Sequence, residues 1–276
     1  PGSIKLDWEE WGDFVKREFH VDESDRQLYG VIAALKVFNT PMTVSLFCRF
    51  FDIQERKLIS RLKERFVHRH VEPVIYREGP KTLQPKHDVI ADLFFSFHQE
   101  SVSINDLILD LLEVMHEDEI ELFLANIVNK REVSKGKKHL IGKIEYWNYM
   151  KAIYDRTQNG TCHLSQNACT YLCLGILWAR NQCHTNFDTI ESMVENIAPA
   201  IGNDLLLAKL YTEWGIFHAR ERQDQSAEKK FRSVIDYNPT QIPARTELGR
   251  LLSRQPGREK EAEDFLREAI RINPKD

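Results

Sequence analysis

A segment built around one glycine and one phenylalanine constrains the fold of this chain most strongly. In residues 211–239, YTEWGIFHARERQDQSAEKKFRSVIDYNP, Gly215 is followed by Ala227, then by Phe231, and the segment closes at Pro239. Small residues at the first two places allow two antiparallel helices to approach closely, with the Phe231 ring between them. Proline cannot continue a helix. The spacing therefore predicts a helix-turn-helix unit.

A second copy of the pattern follows directly. Gly249, Ala262, Leu266 and Pro274 take the corresponding places, and the two closing prolines are about 35 residues apart. A signature that recurs at this period resembles the tetratricopeptide repeat (TPR). The resemblance implies an α-helical solenoid whose first helices line a concave face that binds a protein ligand.

An earlier and degenerate copy precedes these two. Gly175, Trp178 and Pro199 have the offsets of Gly215, His218 and Pro239. The second helix of this copy, around Phe187 to Ile197, lacks the small residue at the crossing point. Residues 144–153 and 168–179 have the pattern of a helix pair without the signature. We therefore expect TPR-like helical repeats over residues 140–276.

The first part of the chain has a different pattern. Apolar residues at helical spacing predict a short helix at 6–20, a helix from Asp25 to Phe38, and a helix from Thr40-Pro41 to Phe51, where Thr40 would cap the helix. A helix from Gln54 to about His68 follows. Extended segments at 72–76 and 82–85 flank a Gly79-Pro80-Lys81 turn. Three helices followed by a two-stranded wing predict a winged-helix domain at 4–100.

An acidic connector, predicted to be helical, separates the two domains at 101–139. Its apolar spacing marks seven buried positions: Leu107, Ile108, Leu111, Leu112, Ile120, Phe123 and Leu124. The fold class expected for the whole chain is mainly α, with a winged-helix domain and a small β wing followed by a TPR-like solenoid.

A His-Asp pair follows the return strand of the wing. His87 and Asp88 open another apolar helix, in an order that resembles the winged helix of STAND NTPases, the class that includes apoptosome and plant resistance proteins. The resemblance implies that His87 contacts the phosphates of bound ADP and holds a switch closed. Lys86 stands where the family has methionine. The alternative is that His87 packs against the wing while Asp88 caps the helix.

The expected nucleotide domain has no counterpart in this sequence. A P-loop of the form G-x-x-x-x-G-K-[ST] is absent, so the sequence offers no such cradle for a triphosphate. We therefore expect a non-catalytic fragment without a cofactor of its own, preceded in the parent protein by a domain that binds ADP or ATP. The start at Pro1-Gly2-Ser3 is typical of a cleaved purification tag and agrees with that expectation. The resemblance further implies a role in innate immunity or antiviral defence, with oligomerisation on activation.

Exposed positions on the first helices of the repeats are the candidates for ligand contact. These helices carry a partly basic set that could bind acidic groups, formed by Lys209, Glu213, His218, Arg220, Arg245 and Arg250. Ordinary solvation of a helix surface is the alternative interpretation for each of them.

DNA binding by the winged helix is the main rival function. Six basic residues between positions 56 and 69 make the helix predicted at 54–68 positively charged, as a helix that binds in the major groove of DNA requires. However, they divide to both sides of the apolar stripe, and Glu64 lies amid the outward face. A free-standing TPR adaptor is a second alternative.

Composition argues against other classes of function. The net charge of −4 gives no general attraction to nucleic acid or anionic membranes, and no apolar run reaches the length of a membrane span. Five cysteines without a Cys-x-x-Cys pair favour free thiols over a metal site or a disulfide framework. No set of residues resembles a catalytic triad. These observations predict a cytoplasmic protein.

Overall fold

The computed structural model describes residues 23–57, 74–77, 81–85, 103–129, 145–180, 186–202 and 204–274. The fold is mainly α-helical with little strand, as the sequence predicts. The chain divides into two compact units, Pro1–Ile153 and Tyr154–Asp276. The predicted limits near residues 100 and 139 both fall outside the described residues.

The first unit combines helices with one small sheet. Its elements are α1 (Glu23–Val37), β1 (Met42–Thr43), α2 (Val44–Phe50), β2 (Val74–Arg77), β3 (Thr82–Pro85), α3 (Ile104–Val114), α4 (Glu117–Asn129) and the greater part of α5 (Tyr146–Gln158). The helix predicted at 6–20 and nearly all of the helix predicted at 54–68 lie outside the described residues.

The sheet has three antiparallel strands in the order β1-β3-β2. The extended segments predicted at 72–76 and 82–85 are β2 and β3, but β1 has no counterpart in the prediction. Because Met42 and Thr43 pair with Leu83 and Thr82, the next helix starts later than Thr40-Pro41. Thr43 is its N-cap and accepts a hydrogen bond from the Leu46 amide at 3.0 Å. The prediction that Thr40 caps this helix is therefore wrong.

An aromatic cluster forms the centre of the first unit. The rings of Phe123, Tyr146 and Tyr149 all pack edge-on to Phe38, with centroids 5.2 to 6.2 Å away. The Tyr149 hydroxyl donates a hydrogen bond to Asn105 Oδ1 at 2.5 Å, so its polar atom is satisfied. The connector helices α3 and α4 thus belong to this core. Six of the seven positions expected to be buried are buried, and only Leu107 is partly exposed.

All regular secondary structure in the described residues of the second unit is helical. After the end of α5 it contains α6 (Gln166–Ala179), α7 (Phe187–Ile197), a short 3₁₀ turn at Ala198–Ala200, α8 (Asp204–Arg220), α9 (Asp224–Tyr237), α10 (Ile242–Leu252) and α11 (Glu259–Ile272). Short connections make α8 with α9, and α10 with α11, two helical hairpins whose helices pack closely on each other. The predicted bounds of the helix at Phe187 to Ile197 are confirmed.

The same glycine contact holds both hairpins together. A Cβ atom at Gly215 would lie 2.5 Å from Cε1 of Phe231, and one at Gly249 would lie 2.6 Å from Cγ of Leu266. Those separations are shorter than van der Waals contact, so only glycine allows the helices their present distance. The prediction that Phe231 fills the space beside Gly215 is confirmed, since its side chain is fully buried there.

Four charged side chains connect the second helices of the two hairpins. Glu228 and Arg232 on α9 meet Arg258, at the N-cap of α11, and Glu261. Arg258 donates to Glu228 from Nη1 at 2.6 Å and from Nη2 at 2.8 Å. These bonds, and those from Arg232, lower the pKa of Glu228 to about 2. The two hairpins are thus joined by ion pairs as well as by their shared apolar core.

Candidate ligand-binding surface

The first helices of successive hairpins lie beside one another in the second unit. Helix α8 packs against α6 and also contacts α10. Side chains from α6 and α8 meet where Trp178 Nε1 donates a hydrogen bond to Glu213 Oε2 at 2.9 Å. The Lys209 ammonium lies 5.5 Å from the centroid of the Trp178 ring. The structure thus brings two of the six candidate residues together around one tryptophan.

The three candidate arginines lie at separate places. Arg220, in the last turn of α8, is exposed. Arg245 on α10 donates two hydrogen bonds to the Pro239 carbonyl, at 2.9 and 2.6 Å, so it ties the start of α10 to the preceding turn. Arg250 is 61% exposed and forms an ion pair with Glu247. Arg220 and Arg250 are accessible to a ligand, whereas Arg245 already has a structural partner.

His218 was expected to be exposed, and that expectation is wrong because only 2% of the residue is accessible. It lies one turn beyond Trp214 on α8. The imidazole stacks on the Trp214 ring, with the ring centroids 6.3 Å apart. Phe187 approaches from α7 with its centroid 5.3 Å from the imidazole. A histidine enclosed by aromatic rings cannot contact a ligand at the surface.

The buried imidazole has unusual electrostatics. Its Nε2 atom lies 3.2 Å from Oε1 of Glu191, but the contact lacks hydrogen-bond geometry. Within the described part of the chain, neither ring nitrogen has a hydrogen-bond partner. Burial, and then the positive charge of Lys230, lower the pKa of His218 to about 4. His218 is therefore neutral at pH 7.

A lysine from the second helix of the hairpin lies over the same aromatic group. The Lys230 ammonium is 3.3 Å from the centroid of Trp214 and 5.1 Å from that of Tyr211. Burial lowers the pKa of Lys230, and burial also raises the pKa of Glu191. Lys230 on α9 and Glu191 on α7 thus contact the side chains of α8 from its two neighbouring helices.

Sequence reasoning did not select Glu191, Lys230 or, as a contact residue, Trp178. Glu191 and Lys230 lie on second helices, far apart in sequence, and helical spacing relates residues on one helix only. One sequence signal pointed to Trp178 as a contact residue. It has the same offset from Gly175 as His218 has from Gly215, so both copies of the pattern carry an aromatic ring at this position.

Several candidate residues lie beyond what the structure describes. His87, predicted to contact a nucleotide, and the basic helix with Glu64 fall among residues outside the described ranges. Cys183 does too, while Cys162, Cys169 and Cys173 are buried, Cys48 is half-buried, and these four cysteines form no disulfide. No group of three metal-ligating side chains occurs among the described residues. None of their helices is long and apolar enough to cross a membrane.

Comparisons with protein-family models, with curated proteins and with solved structures each gave no significant match to this chain.

Proposed function

We propose that this chain is the regulatory and ligand-sensing part of a STAND-type NTPase. Its TPR-like repeats bind a protein ligand, and its winged helix relays the binding to a nucleotide-binding domain. The observation that carries the proposal is the repetition of one hairpin packing, with Gly215 against Phe231 and Gly249 against Leu266. Arrays of identical hairpins expose one continuous face of first helices, which is typical of protein-binding solenoids.

The first unit supports the winged-helix part of the proposal. A strand between the first two helices, β1, pairs with the second strand of the wing, β3, which in turn pairs with β2. This order ties the wing to the helices that precede it. The adjacent helices α3 and α4 share the same core, and Thr43 donates a hydrogen bond to Glu119 on α4 at 2.9 Å. A wing anchored in this way suits a relay element.

The nucleotide part of the proposal rests on the resemblance at His87-Asp88. An imidazole beside a helix N-terminus can donate a hydrogen bond to a phosphate oxygen, where the backbone amides already favour an anion. In the proposed parent, ADP holds the closed state, and ligand binding to the repeats releases it and drives oligomerisation. Innate immune or antiviral defence in the cytoplasm is the setting that the resemblance suggests.

The ligand surface comprises Lys209 and Glu213 around Trp178, together with Arg220 and Arg250. Three of these four charged side chains are cationic, so an acidic segment of a protein complements the surface. Random peptides displayed on phage and selected against the chain should converge on acidic sequences. The double variant Lys209→Glu/Arg250→Glu should weaken their binding, measured by fluorescence anisotropy, at least about tenfold.

The matched control carries the same change of net charge on the second helices. Lys229 on α9 and Lys260 on α11 are both exposed, so Lys229→Glu/Lys260→Glu should leave peptide affinity unchanged. Selection of peptides without acidic residues would contradict this surface. Equal weakening by both double variants would show attraction to net charge alone and would also contradict it.

A winged-helix DNA-binding regulator is the second candidate. Arg56 and Lys57, the described basic residues of the segment predicted to be helical at 54–68, are exposed. Direct readout would need those charges on one face of the helix, and the sequence distributes them on both sides of its apolar stripe. The ligand-sensing function is therefore preferred.

A further inference from the structure

The outer face of α11 repeats a surface that is covered elsewhere in the same unit. Ile270 occupies the place in α11 that Ile235 occupies in α9, four residues after Leu266 and Phe231 respectively. Ile235 is 9% exposed because it packs into the core shared with α10, whereas Ile270 is 64% exposed. Ile270 is the most exposed large apolar side chain in the described part of the chain. Because a helix, α10, covers Ile235 in the first hairpin, we expect a helix to cover Ile270 in the same way.

The charged residues repeat in the same way. Glu263 and Arg267 on α11 correspond to Glu228 and Arg232 on α9. The α9 pair forms ion pairs with the following hairpin, through Arg258 and Glu261. The α11 pair is bonded within its own helix, with Arg267 Nε donating to Glu263 Oε1 at 2.8 Å, and both side chains are more than half exposed. The α11 pair therefore presents the same groups without that inter-helix contact.

The charge order along this face is complementary to itself. Glu259 and Glu263 lie in the first half of α11, and Arg267 and Arg271 lie in the second half. All four line an open groove with Leu266 and Ile270. When two copies of the helix pack antiparallel, the carboxylates of each face the guanidinium groups of the other. A two-fold contact requires this self-complementarity.

We infer that α11 is a self-association surface whose occupant is the α11 helix of a second copy of this chain, in antiparallel orientation. The apolar centre is Leu266 and Ile270, and the flanking charges set the orientation. One helix face from each copy places the contact at the low end of specific interfaces, below about 1,200 Å² of buried surface. The dimer is thus expected to form at micromolar to millimolar concentration. This pairing does not depend on the proposed ligand or nucleotide.

Sedimentation velocity of the full chain over that concentration range tests the inference. The wild type should shift from monomer to dimer, and Ile270→Glu should abolish the shift. Because Ile270 is mostly exposed, this variant should keep the folded far-UV circular dichroism spectrum. Arg267→Glu should weaken dimerisation at least about tenfold by placing like charges in contact. Lys229→Glu, an equal change of charge on α9, is the control and should dimerise normally.

A charge exchange gives the sharpest outcome. The double variant Glu263→Arg/Arg267→Glu reverses the order in both copies, so an antiparallel dimer regains its complementary pairs. Dimerisation should recover to near the wild-type level. A wild-type chain that stays monomeric throughout the range overturns the inference and leaves the face to a helix of another protein. A dimer insensitive to Ile270→Glu overturns it as well.

Discussion

Replacing Phe231 with alanine is expected to lower the free energy of unfolding of the second unit by about 3 to 5 kcal/mol. The Phe231 side chain is fully buried between α8 and α9 and belongs to the core that both hairpins share. Its removal leaves a cavity that the glycine opposite cannot fill. Urea denaturation, with hydrogen exchange of residues 204–252 to locate the loss, measures the effect.

The substitution Gly215→Ala should destabilise the wild-type protein but stabilise the Phe231→Ala variant. In the wild type the new methyl group would lie 2.5 Å from the Phe231 ring, so overpacking should cost about 1 to 3 kcal/mol. In Phe231→Ala the ring is gone, and the higher helix propensity of alanine should stabilise α8 by up to about 1 kcal/mol. Gly249→Ala with Leu266→Ala is the matched pair in the next hairpin. An equal effect of Gly215→Ala in both backgrounds would show that the proposed interlock does not exist.

His218 should make the second unit sensitive to acid. Its pKa is about 4 in the folded protein and about 6.5 in an unfolded chain, so the unfolded chain binds the proton first. The stability that the neutral His218 contributes is therefore fully present above pH 6.5 and is lost as the pH falls toward 4. The His218→Leu variant has no such group, and its unfolding free energy should fall by about 3 kcal/mol less than that of the wild type between pH 7 and pH 4.

The neighbours of His218 make the comparison between variants necessary. Burial raises the pKa of Glu191, so this carboxyl group contributes stability in the opposite direction as the pH falls, and burial lowers the pKa of Lys230. Both remain in His218→Leu, so the difference between the two proteins isolates the imidazole. His163→Gln removes an exposed histidine of the same unit and is the control for a change in the number of histidines. A His218→Leu profile parallel to the wild type would contradict the buried neutral state.

The repeat region could be predicted well because each feature depends on residues close in sequence. Glycine, alanine and phenylalanine at fixed spacing specify how a helix meets its immediate neighbour, and the closing prolines mark the ends of the hairpins. The contact of Gly215 with Phe231 and the bounds of the helix at Phe187 follow from such local rules. Apolar spacing likewise identified the buried positions of α3 and α4.

Features that depend on distant partners could not be predicted from one sequence. The strand β1 is two residues long and exists because β3, some forty positions later, pairs with it. His218 lies one turn beyond the buried Trp214, but the side chains that enclose it, Phe187 and Glu191, come from α7. Lys230 reaches Trp214 from the other helix of the hairpin. In each case the decisive contact comes from another element.

We propose that this chain regulates a nucleotide switch, and the nucleotide content of the parent protein tests this function most directly. The full-length natural protein should be purified under mild conditions, and its bound nucleotide identified by chromatography. We expect co-purified ADP, reduced at least about tenfold by His87→Ala because a hydrogen bond to phosphate is lost. His116→Ala, at an exposed site in the first unit, should retain it. A parent protein without bound nucleotide and without an ATPase domain would contradict the account and favour an adaptor or a DNA-binding regulator.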